Sequence, residues 1–129
     1  MRIFITILLV LMVGAAAAAQ VVKTINGNYE LSGKIENGTR IIEVTASRYK
    51  FQPDPIVVKL GDKIRILATS ADVPHGFAIQ EFNVNSRIDP GKTNTIEFTV
   101  DKEGEFTEYC SVYCGPGHMG MHGKFIVVK

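Results

Sequence analysis

Twelve consecutive residues, Cys110-Ser-Val-Tyr-Cys114-Gly-Pro-Gly-His118-Met-Gly-Met121, hold two thiols, an imidazole and thioether sulfur. Sulfur in both forms stabilises Cu(I), and imidazole accepts copper in either oxidation state. The run therefore suits a metal that cycles between the two with little change in geometry. The chemistry this implies is electron transfer. Two cysteines alone, in an oxidising compartment, would read as a disulfide. The histidine and methionine at fixed spacing argue against that, because a structural disulfide has no use for them. A ligand group drawn from one loop leaves a metal site open, and Asp72-Val-Pro-His75-Gly-Phe77 offers a further histidine, His75, at the end of a different strand.

The elements that must position these residues have a hydrophobic period of two. Arg40 to Thr45 and Ile56 to Leu60 are rich in β-branched residues, and Ile64 to Ala68 continues the pattern after a turn at Gly61-Asp62. Further strands are expected at Gly76 to Gln80, Thr93 to Thr99, Gly104 to Cys110 and Lys124 to Val128. Prolines and glycines punctuate them about every ten residues, the spacing of an all-β sandwich or barrel. No segment after residue 20 has a convincing helical pattern. Asn26-Gly27 and Asn37-Gly38 are hairpin signals, so residues 20–39 are expected to add a short hairpin or an edge segment before a main domain at residues 40–129. The ligand run falls between two strands, one ending near Cys110 and one starting near Gly123. Gly115, Pro116, Gly117 and Gly120 supply the bends needed to wrap several donors around one centre.

At 129 residues the chain has room for one domain with a modest core. Met1-Arg2, the apolar run from Ile3 to Val13 and the Ala-rich stretch ending at Ala19 read as a secretory signal peptide. The alternative is an uncleaved anchor, since Ile3 to Ala19 as a helix would span about 26 Å, slightly short of a bilayer core. Either way the remainder is expected outside the cytoplasm, with membrane contact only if the segment is retained. The formal charge is +1, from 14 Lys and Arg against 13 Asp and Glu. Residues 1–19 contain one of those cations, Arg2, and no acid, so the body is formally neutral. Such a body has no basic stripe for nucleic acid and no acidic tail.

The pattern Cys-x3-Cys-x3-His-x2-Met with an upstream Asp-Val-x-His resembles the binuclear copper, or CuA, domain of cytochrome c oxidase subunit II. Tyr49-Lys-Phe51-Gln-Pro53-Asp-Pro55-Ile56 followed by Gly61-Asp62 is similar to that family's first strands, and Gly123-Lys-Phe-Ile-Val-Val to its last. The likeness covers about residues 40–128 and is nearest the compact form found in ba3-type oxidases. It implies a cupredoxin-like Greek-key β-sandwich and two copper ions. Cys110 and Cys114 would bridge them, His75 and His118 would each bind one, and Met121 and the backbone carbonyl of Val112 would be weak ligands. It also implies a c-type cytochrome or other redox donor, and a terminal oxidase or reductase as acceptor. Nitrous oxide reductase shares the loop spacing but carries a large propeller domain, for which 129 residues have no room.

Three departures stand out. The family often has an acidic residue between the cysteines that reaches a magnesium site at the catalytic subunit. Val112 supplies the carbonyl but no such contact. There is no Trp, and one hydrophobic segment stands where many oxidase subunits have two. Two other copper chemistries also fit the residues: a trafficking protein that binds Cu(I) transiently through the two thiols, and a mononuclear blue-copper site that uses one Cys, two His and Met. Among the neighbours, His122 is either a spare ligand or an exposed loop residue, and Met119 fits no ligand position. Asp72 is either a turn residue or the orienting partner of a histidine. Phe77 and Tyr109 are either shields that keep water from the metal or ordinary core aromatics, and Tyr113 is read as a surface contact.

Overall fold

The computed structural model describes residues 21–24 and 27–129. The leader expected at residues 1–19 lies outside them. Among the described residues, twelve strands account for nearly all the regular structure: β1 Val21–Thr24, β2 Gly27–Glu30, β3 Lys34–Glu36, β4 Thr39–Ser47, β5 Lys50–Gln52, β6 Ile56–Lys59, β7 Lys63–Ser70, β8 His75–Ile79, β9 Val84–Ile88, β10 Asn94–Thr99, β11 Gly104–Tyr109 and β12 His122–Val128. Strand β4 shows why the alternation was legible. Residues 40, 42, 44 and 46 are buried, and those between them face outward or lie at the margin.

Ten of these strands form two five-stranded sheets. One has the order β10-β7-β4-β3, with β5 also on β4, and the other the order β6-β12-β11-β8-β9. The chain changes sheet between β5 and β6, β6 and β7, β7 and β8, β9 and β10, and β10 and β11. Two parallel pairings, β4 with β7 and β6 with β12, result from these crossings. This is the expected Greek-key sandwich, with inner faces meeting in one apolar core. The hairpin signal at Asn37-Gly38 joins β3 to β4, and both residues have positive φ, 48° and 79°, as the tight primed turn requires. Strand β3 thus extends the first sheet, while β1 and β2 pair only with each other. Arg40 crosses from this edge to Asp62, Nε to Oδ2 at 2.7 Å, and pins the β6–β7 turn.

The two ends of the sandwich are finished differently. At one end Phe82, Phe98, Phe106 and Phe125 pack together with ring centroids 4.9–5.9 Å apart. At the other end β8 begins at His75 and β11 ends beside Cys110, so the donors collect where the aromatic packing stops.

Candidate metal centre

Strands β11 and β12 are paired through Tyr109 and His122, and residues 110–121 form the loop between them. Its neck is closed by the N–H of Cys110 donating to the carbonyl of Met121 at 3.1 Å. Inside, the N–H of His118 donates to Gly115 (3.0 Å) and that of Met121 to His118 (3.1 Å), which makes the short 3-10 turn His118–Gly120. These bends turn Cys110, Cys114 and Met121 into the core, where none is more than 5% exposed. Tyr49, at the β4–β5 turn, lies flat against the loop. A Cβ on Gly115 would come within 2.6 Å of its hydroxyl and one on Gly117 within 2.6 Å of its ring. Glycine at these two positions is what permits the close approach.

The donors form two matching groups around the sulfurs. Cys110 Sγ lies 3.5 Å from Cys114 Sγ, with both cysteines free. Beside Cys110 are His75 Nδ1 at 3.8 Å and the Val112 carbonyl oxygen at 3.1 Å. Beside Cys114 are His118 Nδ1 at 3.5 Å and Met121 Sδ at 3.7 Å. The structure therefore brings together all six residues that the sequence singled out. The donor atoms of His75, Cys110 and Cys114 lie within 4.8 Å of one another, a set able to hold a metal ion. Two thiols with one or two imidazoles also suit zinc, but the added thioether favours copper.

The surroundings prepare this set for a cation. Burial pushes the Cys114 thiol up to about 11, helped by its hydrogen bond with Cys110 and the charges of Cys110 and Asp72, against the pull of Arg48. A thiol held protonated in this way binds metal by releasing its proton. His75 is wholly buried, and its Nε2 meets Asp72 Oδ1 at 2.7 Å, leaving Nδ1 toward the sulfurs. Burial works against the Asp72 charge, but hydrogen bonds from the Arg48 N–H (2.8 Å), from His75 and from the Val73 N–H (2.6 Å) hold its carboxyl at about 2. Asp72 thus orients a histidine as well as bracing its turn. Ser70 Oγ adds a hydrogen bond to the Val73 carbonyl.

Some contributors were not legible in the sequence. Arg48 reaches both walls: its N–H holds Asp72, and its Nε donates to the Cys114 carbonyl at 3.2 Å. Tyr49 supports the loop as described, and Ser111 Oγ donates to Asn85 Oδ1 at 2.7 Å, tying the loop to β9. Glu108, two residues before Cys110, is fully buried with neither carboxylate oxygen hydrogen-bonded. Burial, then the nearby Asp54, raises its pKa well above the ordinary carboxylate range. Phe77 is core, packed edge-on against Phe51 at 5.3 Å, whereas Tyr109 is 38% exposed and sits at the surface. Tyr113 is exposed with its ring 5.6 Å from that of His118, and Met119 and His122 both face solvent. Among the described residues no helix is long and apolar enough to cross a membrane.

Comparison with known proteins follows the same lines. The chain is 38% identical over 86 residues to subunit 2 of cytochrome c oxidase from Thermus thermophilus, a match covering 67% of this chain and 64% of that protein. It is 33% identical over 101 residues to nitrous-oxide reductase of Cupriavidus necator, 74% of this chain but only 16% of the reductase. The chain thus spans less than two thirds of the length of these relatives. Among solved structures, the periplasmic domain of cytochrome oxidase subunit II from Bradyrhizobium japonicum superposes with a TM-score of 0.64 at 28% identity, covering 69% of this chain and 83% of that one. The cupredoxin-like domain matches residues 3–127, and with the strand order described above it identifies this chain as a member of the cupredoxin-like domain family.

Proposed function

We propose that this chain transfers electrons through a binuclear copper centre held by His75, Cys110, Cys114, His118, Met121 and the carbonyl of Val112. The observation that carries this is the matched pair of donor groups: each thiol has its own imidazole and its own weak donor, and the two sulfurs lie side by side at 3.5 Å. A single blue-copper ion needs one Cys, two His and Met, and would leave Cys110 or Cys114 unused. Two bridged coppers would share one redox electron between them, which reduces the rearrangement that accompanies its transfer. The protein's share is to keep the ligands still and dry. His75 is held by Asp72, the loop by Tyr49 and Arg48, and the sulfurs by the core on which they rest.

The relatives are oxidase subunits and reductases, so the partners we assign are a c-type cytochrome or similar donor and a terminal oxidase or reductase as acceptor. The protein then works on the extracytoplasmic side, exported by residues 1–19, with residues 20–39 as an extension to the copper domain at 40–129. Whether as an oxidase subunit or a free carrier, Val112 brings no carboxylate to a neighbouring subunit. The test is the metal content of protein reconstituted with copper. About two ions per chain that cycle reversibly between oxidation states are expected. One ion per chain would contradict the binuclear centre. A colourless Cu(I) form that hands its metal to an apo-acceptor would contradict electron transfer in favour of trafficking.

A further inference from the structure

We propose that Met119 and His122 form a second, outer site for Cu(I), through which copper reaches the buried thiols. The inner destination rests on the function proposed above, but the outer site stands on its own residues. A cleft of about 580 Å³ opens beside the neck of the ligand loop, and its lining includes Met119 and His122 together with Cys110, His118 and Met121. Neither Met119 nor His122 belongs to the inner donor set. Met119 sits in the turn His118–Gly120 with 91% of its surface exposed, and His122 begins β12 and faces solvent. One cleft is thus lined both by a thioether and an imidazole in water and by two residues of the inner set, Met121 and Cys110, 1% and 5% exposed.

The lining selects for a soft ion. Among the described residues that line it there is no carboxylate, lysine or arginine. Calcium and magnesium need anionic or carbonyl oxygen, whereas thioether and imidazole are neutral donors that Cu(I) accepts readily. Transfer inward is a ligand exchange without change of oxidation state. The bonds from Cu(I) to the Met119 sulfur and the His122 nitrogen break as a bond to the Cys110 sulfur forms, and the thiol proton leaves to water. Capture at the mouth raises the local concentration of the ion over the thiols, so loading becomes largely intramolecular.

Two measurements test this, with Cu(I) supplied anaerobically as its acetonitrile complex. In protein with Cys110→Ser and Cys114→Ser and with 13C-labelled methionine methyls, the Met119 methyl and His122 ring resonances should shift together over the first equivalent. Met119→Leu should abolish the His122 response. A Met119 methyl that does not move, or a His122 shift that survives Met119→Leu, would overturn the site. In the chain with both cysteines, Met119→Leu combined with His122→Phe should slow the appearance of copper–thiolate absorption about tenfold while leaving the final copper content unchanged. Both side chains are exposed, so these changes spare the core, and an unchanged loading rate would overturn the route even if the serine variant did not fold. Failure of the binuclear centre would show instead in the final copper content of the unaltered chain.

Discussion

His75 and His118 offer the same nitrogen to neighbouring sulfurs, yet they are mounted in opposite ways. His75 opens strand β8, is wholly buried, and has its far nitrogen fixed by Asp72 at 2.7 Å. His118 opens a three-residue turn inside the loop, is only partly buried, and has the exposed ring of Tyr113 beside it at 5.6 Å. One ligand is part of the sandwich and the other is brought to it. The difference teaches how a centre is both kept rigid and kept reachable. The strand side sets the geometry before any metal arrives, and the loop side meets the solvent and the cleft beside its neck.

Removing what joins the two sides should have the largest effect. Cys114→Ser takes away one of the two thiolates that would bridge the coppers, so the binuclear signal should vanish, as checked by copper analysis and spin resonance. Next comes a direct contrast of the histidines. His75→Gly should cost about 2–4 kcal/mol of stability in thermal unfolding, because it leaves a buried void and removes one of the hydrogen-bond partners of Asp72. His118→Gly should cost within about 1 kcal/mol. Added imidazole should restore copper spectra to the His118 variant and not to the buried His75 one.

Smaller effects sharpen the same contrast. Asp72→Asn should weaken copper binding about 10–100-fold, since it frees the His75 ring. The Asp72 carboxyl is lowered from 3.8 to about 2, so its bracing contribution is complete above about 4 and is lost as pH falls through 2. A titration of the unaltered chain should show that loss, and the Asn variant should not. Met121→Leu is the mildest change: copper content should hold and the reduction potential should move, because the thioether is a weak ligand.

The ligand run was legible because five of the six donor positions lie in twelve consecutive residues, and His75 because Asp-Val-x-His marks the end of a strand. Strands such as β4 declare themselves by alternation. Strand β9, Val84-Asn-Ser-Arg-Ile88, did not, since only its two ends are apolar and its pairing with β8 supplies the rest. Strand β5 is three residues long and carries too little pattern to read. Arg48 could not be connected with Cys114 from sequence at all, because the bond spans 66 residues and exists only once both sheets have formed. Tyr49 was visible as part of a family-like strand, but its role in seating Gly115 and Gly117 depends on the loop's path in space. The roles that escaped the sequence are contacts that only the fold brings about.

The central claim is that Cys110 and Cys114 hold two coppers as one unit. Electron spin resonance of the oxidised, copper-loaded chain tests it most directly, because an electron shared equally by two copper nuclei gives seven hyperfine lines and one confined to a single nucleus gives four. Seven lines are expected from the unaltered protein, lost on Cys114→Ser. A four-line spectrum, or seven lines that persist without Cys114, would contradict it.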